Sequence, residues 1–358
     1  MAVEGPNSIA NDLLGRLPGS PDAYPQKIDF LSLTVLLVQF NASAYRSASF
    51  LDDRILGPTT TGAWLSVDRV ADASRLVANA RPLHFIFHTG HVGSTLVSRL
   101  LDETGTVLSL REPLPLRTLA DAHDVLERPD SLLSGPQFDL MLAMFMRLWA
   151  RGYDATGSVV VKATSSAGRL AGPILTGGER SRAIYLNLRS EPYLATLLAG
   201  QNSPIDLRGH GPERMRRLRS RSAAPLPALH ALSIGELAAM SWLAESWTQR
   251  DTVKRFAGRV LALDFEAFLS NVASSLGRVL AHFELPEDGR YLAEVGRSPV
   301  LTRYSKAPEY AYTSDIRAEV LRDSRRHNRE EIRKGMDWLE RLARSDDTVA
   351  EIVNALDG

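Results

Sequence analysis

The chain has 358 residues, and its 42 lysines and arginines balance its 42 aspartates and glutamates, so the formal net charge is zero. Because binders of nucleic acid or anionic membranes usually carry a basic excess, this balance argues against both as general partners. There are no cysteines, which excludes disulfides, thiolate nucleophiles, cysteine–zinc sites and iron–sulfur clusters.

Length and targeting signals set the next expectations. At about 150 residues per domain we expect about two domains, although one large α/β domain also suits this length. Residues 1–15 lack the basic and apolar regions of a signal peptide. The apolar run at residues 30–40 is shorter than the roughly 20 residues that a membrane-spanning helix needs. We therefore expect a cytoplasmic protein without a membrane span, and its oligomeric state stays open.

The first 80 residues carry glycine and proline turns but no cluster of catalytic side chains. The run at residues 30–40 and the stretch at 67–78 both look helical. We therefore predict a mainly helical N-terminal cap over residues 1–80 that packs on the rest of the chain. A partner-binding module is the alternative for this segment.

From residue 82 onward, short apolar runs alternate with helix-like stretches. The runs are continuous, as in strands buried on both faces of a parallel sheet. They cover residues 83–88, 106–111, 158–162, 183–188 and 259–263. Helices are predicted at residues 94–102, 138–151, 193–199 and 234–256. This alternation predicts an α/β core over residues 81–285, with a central parallel sheet between helices and ligands at the carboxyl ends of its strands.

Residues 201–233 are rich in proline, glycine and arginine, and we interpret them as a solvated loop and helix face. A mobile lid over an anionic ligand is the alternative. Six arginines fall in this stretch: Arg208, Arg214, Arg216, Arg217, Arg219 and Arg221. After the core, residues 286–358 are predicted to form a helical C-terminal region packed on it.

The first predicted strand of the core ends in a glycine-containing loop that leads into a helix. Backbone N–H groups and the positive end of a helix favour a bound anion at such a place. In the P-loop pattern G-x-x-x-x-G-K-[ST], Gly93 matches the second glycine and Thr95 the last position, but Ser94 replaces the lysine and His88 the first glycine. The missing lysine disfavours an ordinary ATPase or GTPase. A tight turn with a Ser/Thr cap is the structural alternative.

Residues 90–96 resemble the 5′-phosphosulfate-binding loop of sulfotransferases, which take their sulfuryl group from 3′-phosphoadenosine 5′-phosphosulfate. Gly93, Ser94 and Thr95 match the family's Gly-Thr-Thr, whereas His91 stands where the family has Lys or Arg. A neutral imidazole lacks the required charge, so His91 has to be protonated or a neighbour has to supply the charge. The resemblance implies a three-layer, P-loop-kinase-like fold and no metal. It also implies a donor-binding loop of Gly90, His91, Val92, Gly93, Ser94 and Thr95.

In addition to His91, the ends of two further predicted strands carry candidate catalytic residues. Glu112 follows the second strand, and the resemblance implies that it is the general base that takes a proton from the acceptor. A structural salt bridge to Arg111 or Arg117 is the alternative. Lys162 ends the third strand and is one of only five lysines. The resemblance implies that it stabilises charge on the transferred group or the leaving phosphate; a snorkelling strand-end cation is the alternative.

The fourth strand leads to Arg189, to which the resemblance assigns the donor's 3′-phosphate, a bidentate contact that suits a guanidinium. An arginine that caps the sheet end is the structural alternative. The family places a serine eight residues later, where this chain has Leu197. Thr196 and Ser190 are therefore the candidate hydroxyls for this phosphate.

Three weaker matches lie further along the chain. Residues 265–266 partly match a Tyr-Glu-x-Leu segment of the family, and we interpret them as structural. Residues 333–338 resemble a further 3′-phosphate element of the family, although Trp338, Leu339 and Leu342 have the spacing of a helix core. Residues 304–308 are a candidate segment for closing over the site.

The resemblance covers roughly residues 82–285 and predicts a sulfotransferase. The acceptor is a hydroxyl or amine of a small molecule, a glycan or a peptide. Two alternatives stay open. One is a P-loop-type kinase in which Lys162 replaces the missing lysine and Mg²⁺ is required. The other is a non-catalytic nucleotide-binding protein.

Overall fold

The computed structural model describes residues 6–286 and 288–357. Within those ranges the strands are β1 (Ala23–Asp29), β2 (Thr34–Gln39), β3 (Gly62–Ser66), β4 (Leu83–His88), β5 (Val107–Arg111), β6 (Ser158–Lys162), β7 (Ala183–Asn187) and β8 (Val260–Asp264). The helices are α1 (Pro6–Arg16), α2 (Ala42–Ser47), α3 (Val67–Arg75), α4 (Ser94–Asp102), α5 (Leu114–His123), α6 (Gly135–Trp149), α7 (Ala171–Gly177), α8 (Ser190–Leu198), α9 (Ser203–Arg221), α10 (Ile234–Arg255), α11 (Phe265–Ser270), α12 (Val272–His282), α13 (Gly289–Glu294), α14 (Ser314–His327), α15 (Arg329–Ala343) and α16 (Asp347–Asp357).

A parallel five-stranded sheet flanked by helices forms the centre of the fold, in the order β5-β6-β4-β7-β8. Residues of β4, β5, β6 and β7 are all buried. The register pairs Arg111 of β5 and Ile86 of β4 with Lys162 of β6. All five predicted strands are confirmed, as are the helices predicted at residues 94–102, 138–151, 193–199 and 234–256. The predicted α/β fold class is therefore confirmed.

The helix predicted at residues 30–40 is wrong. These residues contain β2, the middle strand of an antiparallel sheet in the order β1-β2-β3. An apolar run of this length fits both helix and strand periodicity, and the β-branched residues Thr34, Val35 and Val38 favour a strand. The chain reverses just before β2, where Leu33 has a φ of 49°. The helix predicted at 67–78 is confirmed by α3.

The described residues divide into two compact units, each built from separate stretches of the chain. Unit 1 takes its residues from Met1–Phe87, Thr95–Ala183 and Gly277–Val295, and unit 2 from His88–Ser94, Ile184–Leu276 and Gly296–Gly358. Glu112 and Lys162 belong to unit 1, whereas Arg189 belongs to unit 2. The domain boundaries predicted after residues 80 and 285 remain predictions.

The arginine-rich segment 201–233 is mostly the helix α9, and the interpretation as a solvated surface is wrong for two of its arginines. Arg214 Nε lies 3.3 Å from Glu245 Oε1 on α10, and Arg217 Nη2 lies 2.7 Å from the same oxygen. Glu245 is fully buried, so these guanidiniums are needed to compensate a carboxylate in the protein interior. The lid hypothesis for this segment remains a prediction.

Residues 333–338 lie in α15 at a close crossing with α10, and a role for them in phosphate binding remains a prediction. A Cβ atom added to Gly235 would lie 1.8 Å from the carbonyl oxygen of Glu331, and one added to Gly335 would lie 2.6 Å from the carbonyl oxygen of Gly235. The flanking Arg333 and Lys334 make ion pairs along α15. Trp338, Leu339 and Leu342 are buried, as their spacing predicts. In this structure the segment packs one helix on another.

Within residues 6–286 and 288–357, no helix combines the length and the apolar character that crossing a membrane requires.

The crossing predicts that Gly235→Ala is strongly destabilising. Since the added methyl group would collide with backbone atoms, we expect a loss of at least about 1–3 kcal/mol in the free energy of unfolding. Chemical denaturation monitored by circular dichroism measures it. Gly209→Ala is the control: Gly209 lies inside α9, and a Cβ atom added there would have nothing within 4 Å. That substitution should be neutral or stabilising by up to about 1 kcal/mol, and equal losses in both variants would contradict the prediction.

Candidate functional site

The loop between β4 and α4 contains three residues with left-handed backbone within four positions. Gly90 has a φ of 109°, His91 of 54° and Gly93 of 68°. Alternation of left-handed and ordinary backbone turns successive N–H groups towards one side and forms a concavity that binds anions. His91 is the only one of the three with a side chain, so its conformation is strained, as is common in functional loops. These φ values are compatible with such a concavity, and the anion-binding role of the loop remains a prediction.

Gly93 is fixed by a second constraint, the side chain of Phe265 at the start of α11. A Cβ atom on Gly93 would lie 2.0 Å from Phe265 Cε2 and 2.1 Å from its Cζ. The phenyl ring thus packs directly on the loop backbone and leaves room for glycine alone. The sequence interpretation of residues 265–266 as structural agrees with this contact for Phe265.

The side chains at the start of α4 face the protein interior. Ser94 is 4% exposed and Thr95 is 1% exposed. The Thr95 hydroxyl makes no hydrogen bond within the described part of the chain. A buried hydroxyl without a partner costs free energy, so it is a candidate ligand for an anion. Val92 is fully buried, and because its side chain is apolar, only its backbone N–H could donate to an anion at such a site.

In unit 1, Glu112 and Lys162 form an ion pair where β5 and β6 end. Lys162 is fully buried, and the Glu112 side chain is 14% exposed. The ammonium nitrogen contacts Glu112 Oε1, and the Glu112 backbone N–H donates to the Lys162 carbonyl at 2.7 Å. The ion-pair partner of Glu112 is thus Lys162 rather than Arg111 or Arg117. Because Lys162 is buried, the alternative of a snorkelling cation is wrong.

Glu112 has left-handed backbone, with a φ of 52°. For a residue with a side chain this conformation costs roughly 1–2 kcal/mol. It is held from both sides by Leu51 of the N-terminal segment. The Leu51 N–H donates to the Arg111 carbonyl at 2.7 Å, and the Leu51 carbonyl accepts from the Leu114 N–H at 3.2 Å. A turn that is unfavourable on its own is thus stabilised by a distant part of the chain.

Arg111 ties the same N-terminal segment to β5 through its side chain. The buried guanidinium donates to the carbonyls of Tyr45 at 3.0 Å and Ala48 at 2.8 Å, and it forms an ion pair with Asp102. Burial, with a smaller contribution from Arg99, lowers the pKa of Arg111 to about 9. Sequence reasoning missed this role of the N-terminal segment. The only sequence signal is an arginine that ends a mostly apolar strand.

In unit 2, Arg189 lies at the N-cap position of α8 with its side chain 54% exposed. Its Nη2 is 3.5 Å from Glu266 Oε2, and Arg317 Nη2 is 3.4 Å from Glu266 Oε1. Arg317 was not predicted from the sequence, because it lies in a charged helix in which no arginine differs in pattern from the others. The sequence places Glu266 only in a segment interpreted as structural.

The two candidate hydroxyls that follow Arg189 already have partners within the chain. Ser190 is fully buried, and its hydroxyl lies 3.5 Å from Met336 Sδ. The Thr196 hydroxyl donates to the carbonyl of Pro192, one turn earlier in α8, at 2.7 Å. A role for either hydroxyl in donor binding remains a prediction. The described ranges also contain no group of three or more His, Asp or Glu side chains arranged to hold a metal ion.

Comparison with known proteins gives similar structures but no related sequence. No protein-family model matches the chain, and no curated protein sequence matches it. The sulfotransferase domain from the curacin biosynthetic pathway is 14% identical with a TM-score of 0.37, over 65% of this chain and 84% of its own. Mouse sulfotransferase SULT7A1 complexed with PAP is 12% identical with a TM-score of 0.41, over 76% of this chain and 88% of its own.

A third similar structure is sulfotransferase STF9 from Mycobacterium avium, which is 12% identical with a TM-score of 0.37, over 89% of this chain and 96% of its own. Identities and TM-scores this low identify neither a family nor an activity. The functional assignment therefore rests on the residues described above.

The contact of Phe265 with the loop predicts that Gly93→Ala is more harmful than other glycine substitutions at positive φ. Steric overlap adds to backbone strain, so we expect a loss of at least about 2 kcal/mol in unfolding free energy. Gly105→Ala is the matched control, because Gly105 has a φ of 74° and nothing within 4 Å of an added Cβ. It should lose only about 1 kcal/mol. Equal losses would show that the phenyl ring does not constrain the loop.

The buried pair predicts strong coupling between Glu112 and Lys162. Removing one charge leaves the other uncompensated, so Glu112→Gln and Lys162→Met should each cost about 3–5 kcal/mol. The double variant should cost at least about 1 kcal/mol less than the sum of the two. Denaturant unfolding of the four proteins measures the coupling. The exposed pair Arg333–Asp337 on α15 is the control, with an expected coupling below about 0.5 kcal/mol. Additive losses at Glu112 and Lys162 would refute the coupling.

Proposed function

We propose that this chain is a sulfotransferase, which moves a sulfuryl group from 3′-phosphoadenosine 5′-phosphosulfate to a hydroxyl or amine of a small molecule, glycan or peptide. The observation that carries the proposal is the carboxylate of Glu112, held in strained backbone and paired with a buried lysine. Strain and a buried ion pair both cost stability, and such costs are concentrated at functional sites. The function needs a base and a cation together, which this pair supplies.

Donor binding is assigned to the loop of residues 90–95 and to Arg189. The support is the run of left-handed residues in the loop, the unpartnered Thr95 hydroxyl and the exposed guanidinium of Arg189. In this assignment the 5′-phosphosulfate lies against the backbone N–H groups of the loop, and the 3′-phosphate is bound by Arg189. Ser190 and Thr196 stay as candidate hydroxyls for that phosphate.

The chemistry assigned to the pair is in-line displacement at sulfur. The acceptor oxygen or nitrogen forms the new bond to sulfur while its proton passes to the Glu112 carboxylate. The bond between sulfur and the bridging oxygen of the 5′-phosphate breaks, and adenosine 3′,5′-bisphosphate leaves with the electron pair. Lys162 offsets the negative charge that develops on the transferred group and the leaving oxygen, and a protonated His91 would add a second positive charge. Positioning and fixed charge contribute most in reactions of this kind.

A binding experiment tests the donor assignment. Adenosine 3′,5′-bisphosphate at 100 times its dissociation constant should add roughly 2.7 kcal/mol of apparent stability, visible as a higher melting temperature. Arg189→Ala should remove this effect, because the phosphate loses its guanidinium. Arg333→Ala, which removes an equal charge on α15, is the control and should leave it intact. Stabilisation by Mg²⁺-ATP alone would favour phosphoryl transfer instead.

A turnover experiment tests the catalytic assignment. The chain is incubated with donor carrying a radioactive sulfuryl group and with pools of phenols, alcohols, amines and sugars. Glu112→Gln should bind the bisphosphate like the parent chain but lose about 10²–10⁴-fold in turnover, since a general base is removed. Turnover that survives this substitution would rule out Glu112 as the base. Bisphosphate binding without turnover on any pool would favour a non-catalytic binding protein.

A further inference from the structure

The carboxylate of Glu266 bridges two arginines from different elements of unit 2. Its Oε2 faces Arg189 Nη2 at 3.5 Å, and its Oε1 faces Arg317 Nη2 at 3.4 Å. Each oxygen serves one guanidinium, so neither arginine has the bidentate contact that makes a strong ion pair. Both distances exceed the 2.7–2.9 Å that is usual for charge-assisted hydrogen bonds. The bridge is therefore a loose one.

A neighbouring ion pair, which joins α14 to α8, is tight by comparison. Arg325 donates to Glu191 through two nitrogens, at 2.8 Å and 2.9 Å. These hydrogen bonds raise the pKa of Arg325. The Arg325–Glu191 pair is bidentate, whereas Glu266 makes a single contact with each of Arg189 and Arg317.

The bridge lies next to the loop of residues 90–95, to which the proposed function assigns the donor. Glu266 follows Phe265, whose ring packs on the backbone of Gly93. The guanidinium carbon of Arg317 is 5.6 Å from the centroid of the same ring. The ring of Phe265 thus lies against both the loop and Arg317. The carboxylate of the next residue, Glu266, lies close to Arg189. The side chains of Arg189, Glu266 and Arg317 are 54%, 32% and 19% exposed, so a soluble anion can reach them.

We propose that Arg189 and Arg317 form a two-arginine phosphate site and that Glu266 is its internal competitor. Without a ligand the carboxylate bridges the guanidiniums, and a phosphate group displaces it. A phosphate dianion carries more charge and more terminal oxygens than a carboxylate, so two guanidiniums bind it more strongly. Taking the donor's phosphate as the ligand rests on the proposed function. The competition between carboxylate and phosphate does not.

Two substitutions should act in opposite directions. Glu266→Gln removes the competing charge and should tighten phosphate binding by about fivefold to tenfold. Arg317→Met removes one arm of the site and should weaken binding by at least about tenfold, the effect of losing about 1.4 kcal/mol. A purely structural role for the Glu266 bridge predicts the opposite for Glu266→Gln, because the loss of the bridge would then disorder the site.

The experiment is calorimetric titration of the full chain with adenosine 3′,5′-bisphosphate, and separately with pyrophosphate and inorganic phosphate. Arg344→Met is the matched control, because Arg344 makes a comparably loose pair with Glu340 at 3.6 Å. It should change affinity by less than about twofold. Circular dichroism verifies that each variant folds. If Arg317→Met does not fold, Arg317→Lys replaces it; the ammonium lacks the planar fork and should also weaken binding.

The outcomes separate this inference from the proposed function. Unchanged or weaker binding by Glu266→Gln, with bisphosphate binding by the parent chain and its loss in Arg189→Met, overturns the inference and leaves the donor assignment standing. If the bisphosphate does not bind but pyrophosphate or phosphate affinity follows the order Glu266→Gln, parent, Arg317→Met, the inference stands and the donor assignment falls. Absence of binding by any of the three ligands overturns both.

Discussion

A buried ammonium group at the end of β6 is the constraint on which the architecture of unit 1 depends. An uncompensated charge in the interior costs several kilocalories per mole, so Lys162 needs an anion close by. Glu112 supplies it, with backbone in the left-handed region. The ion pair and the strained turn involve the same residue, Glu112, and the hydrogen bonds of Leu51 on either side of Glu112 hold both in place.

This dependence gives the N-terminal segment a role that goes beyond covering the core. The end of α2 is anchored by the buried guanidinium of Arg111, which donates to the carbonyls of Tyr45 and Ala48. The segment therefore reaches the candidate base through backbone contacts. In unit 2 the corresponding constraint is steric, because the ring of Phe265 packs on Gly93 of the loop between β4 and α4. The charged side chains of Glu266 and Arg317 lie beside that ring.

The sequence was informative where local pattern and tertiary structure agree. Continuous apolar runs with sharp ends predicted the five parallel strands. Glu112, Lys162 and Arg189 are polar residues at those ends, and their roles in catalysis and donor binding remain predictions. It failed at residues 30–40, where an apolar run suits helix and strand alike and the pairing with β1 and β3 decides. It also missed Leu51 and Arg317. Leu51 acts through its peptide group, which no side-chain pattern encodes. Arg317 differs from the other arginines of its helix only because the fold places it next to Glu266.

The burial of Lys162 also determines the chemical reactivity of the chain. The side chains of Lys27, Lys254 and Lys334 are 39%, 56% and 37% exposed, whereas Lys162 is fully buried. Reagents that acylate amines can therefore react with these exposed lysines, whereas the amine of Lys162 at the candidate site is protected. In a chain with five lysines, mass spectrometry can follow each of them. The rate at which Lys162 acquires a label thus reports how often the interior around it opens to solvent.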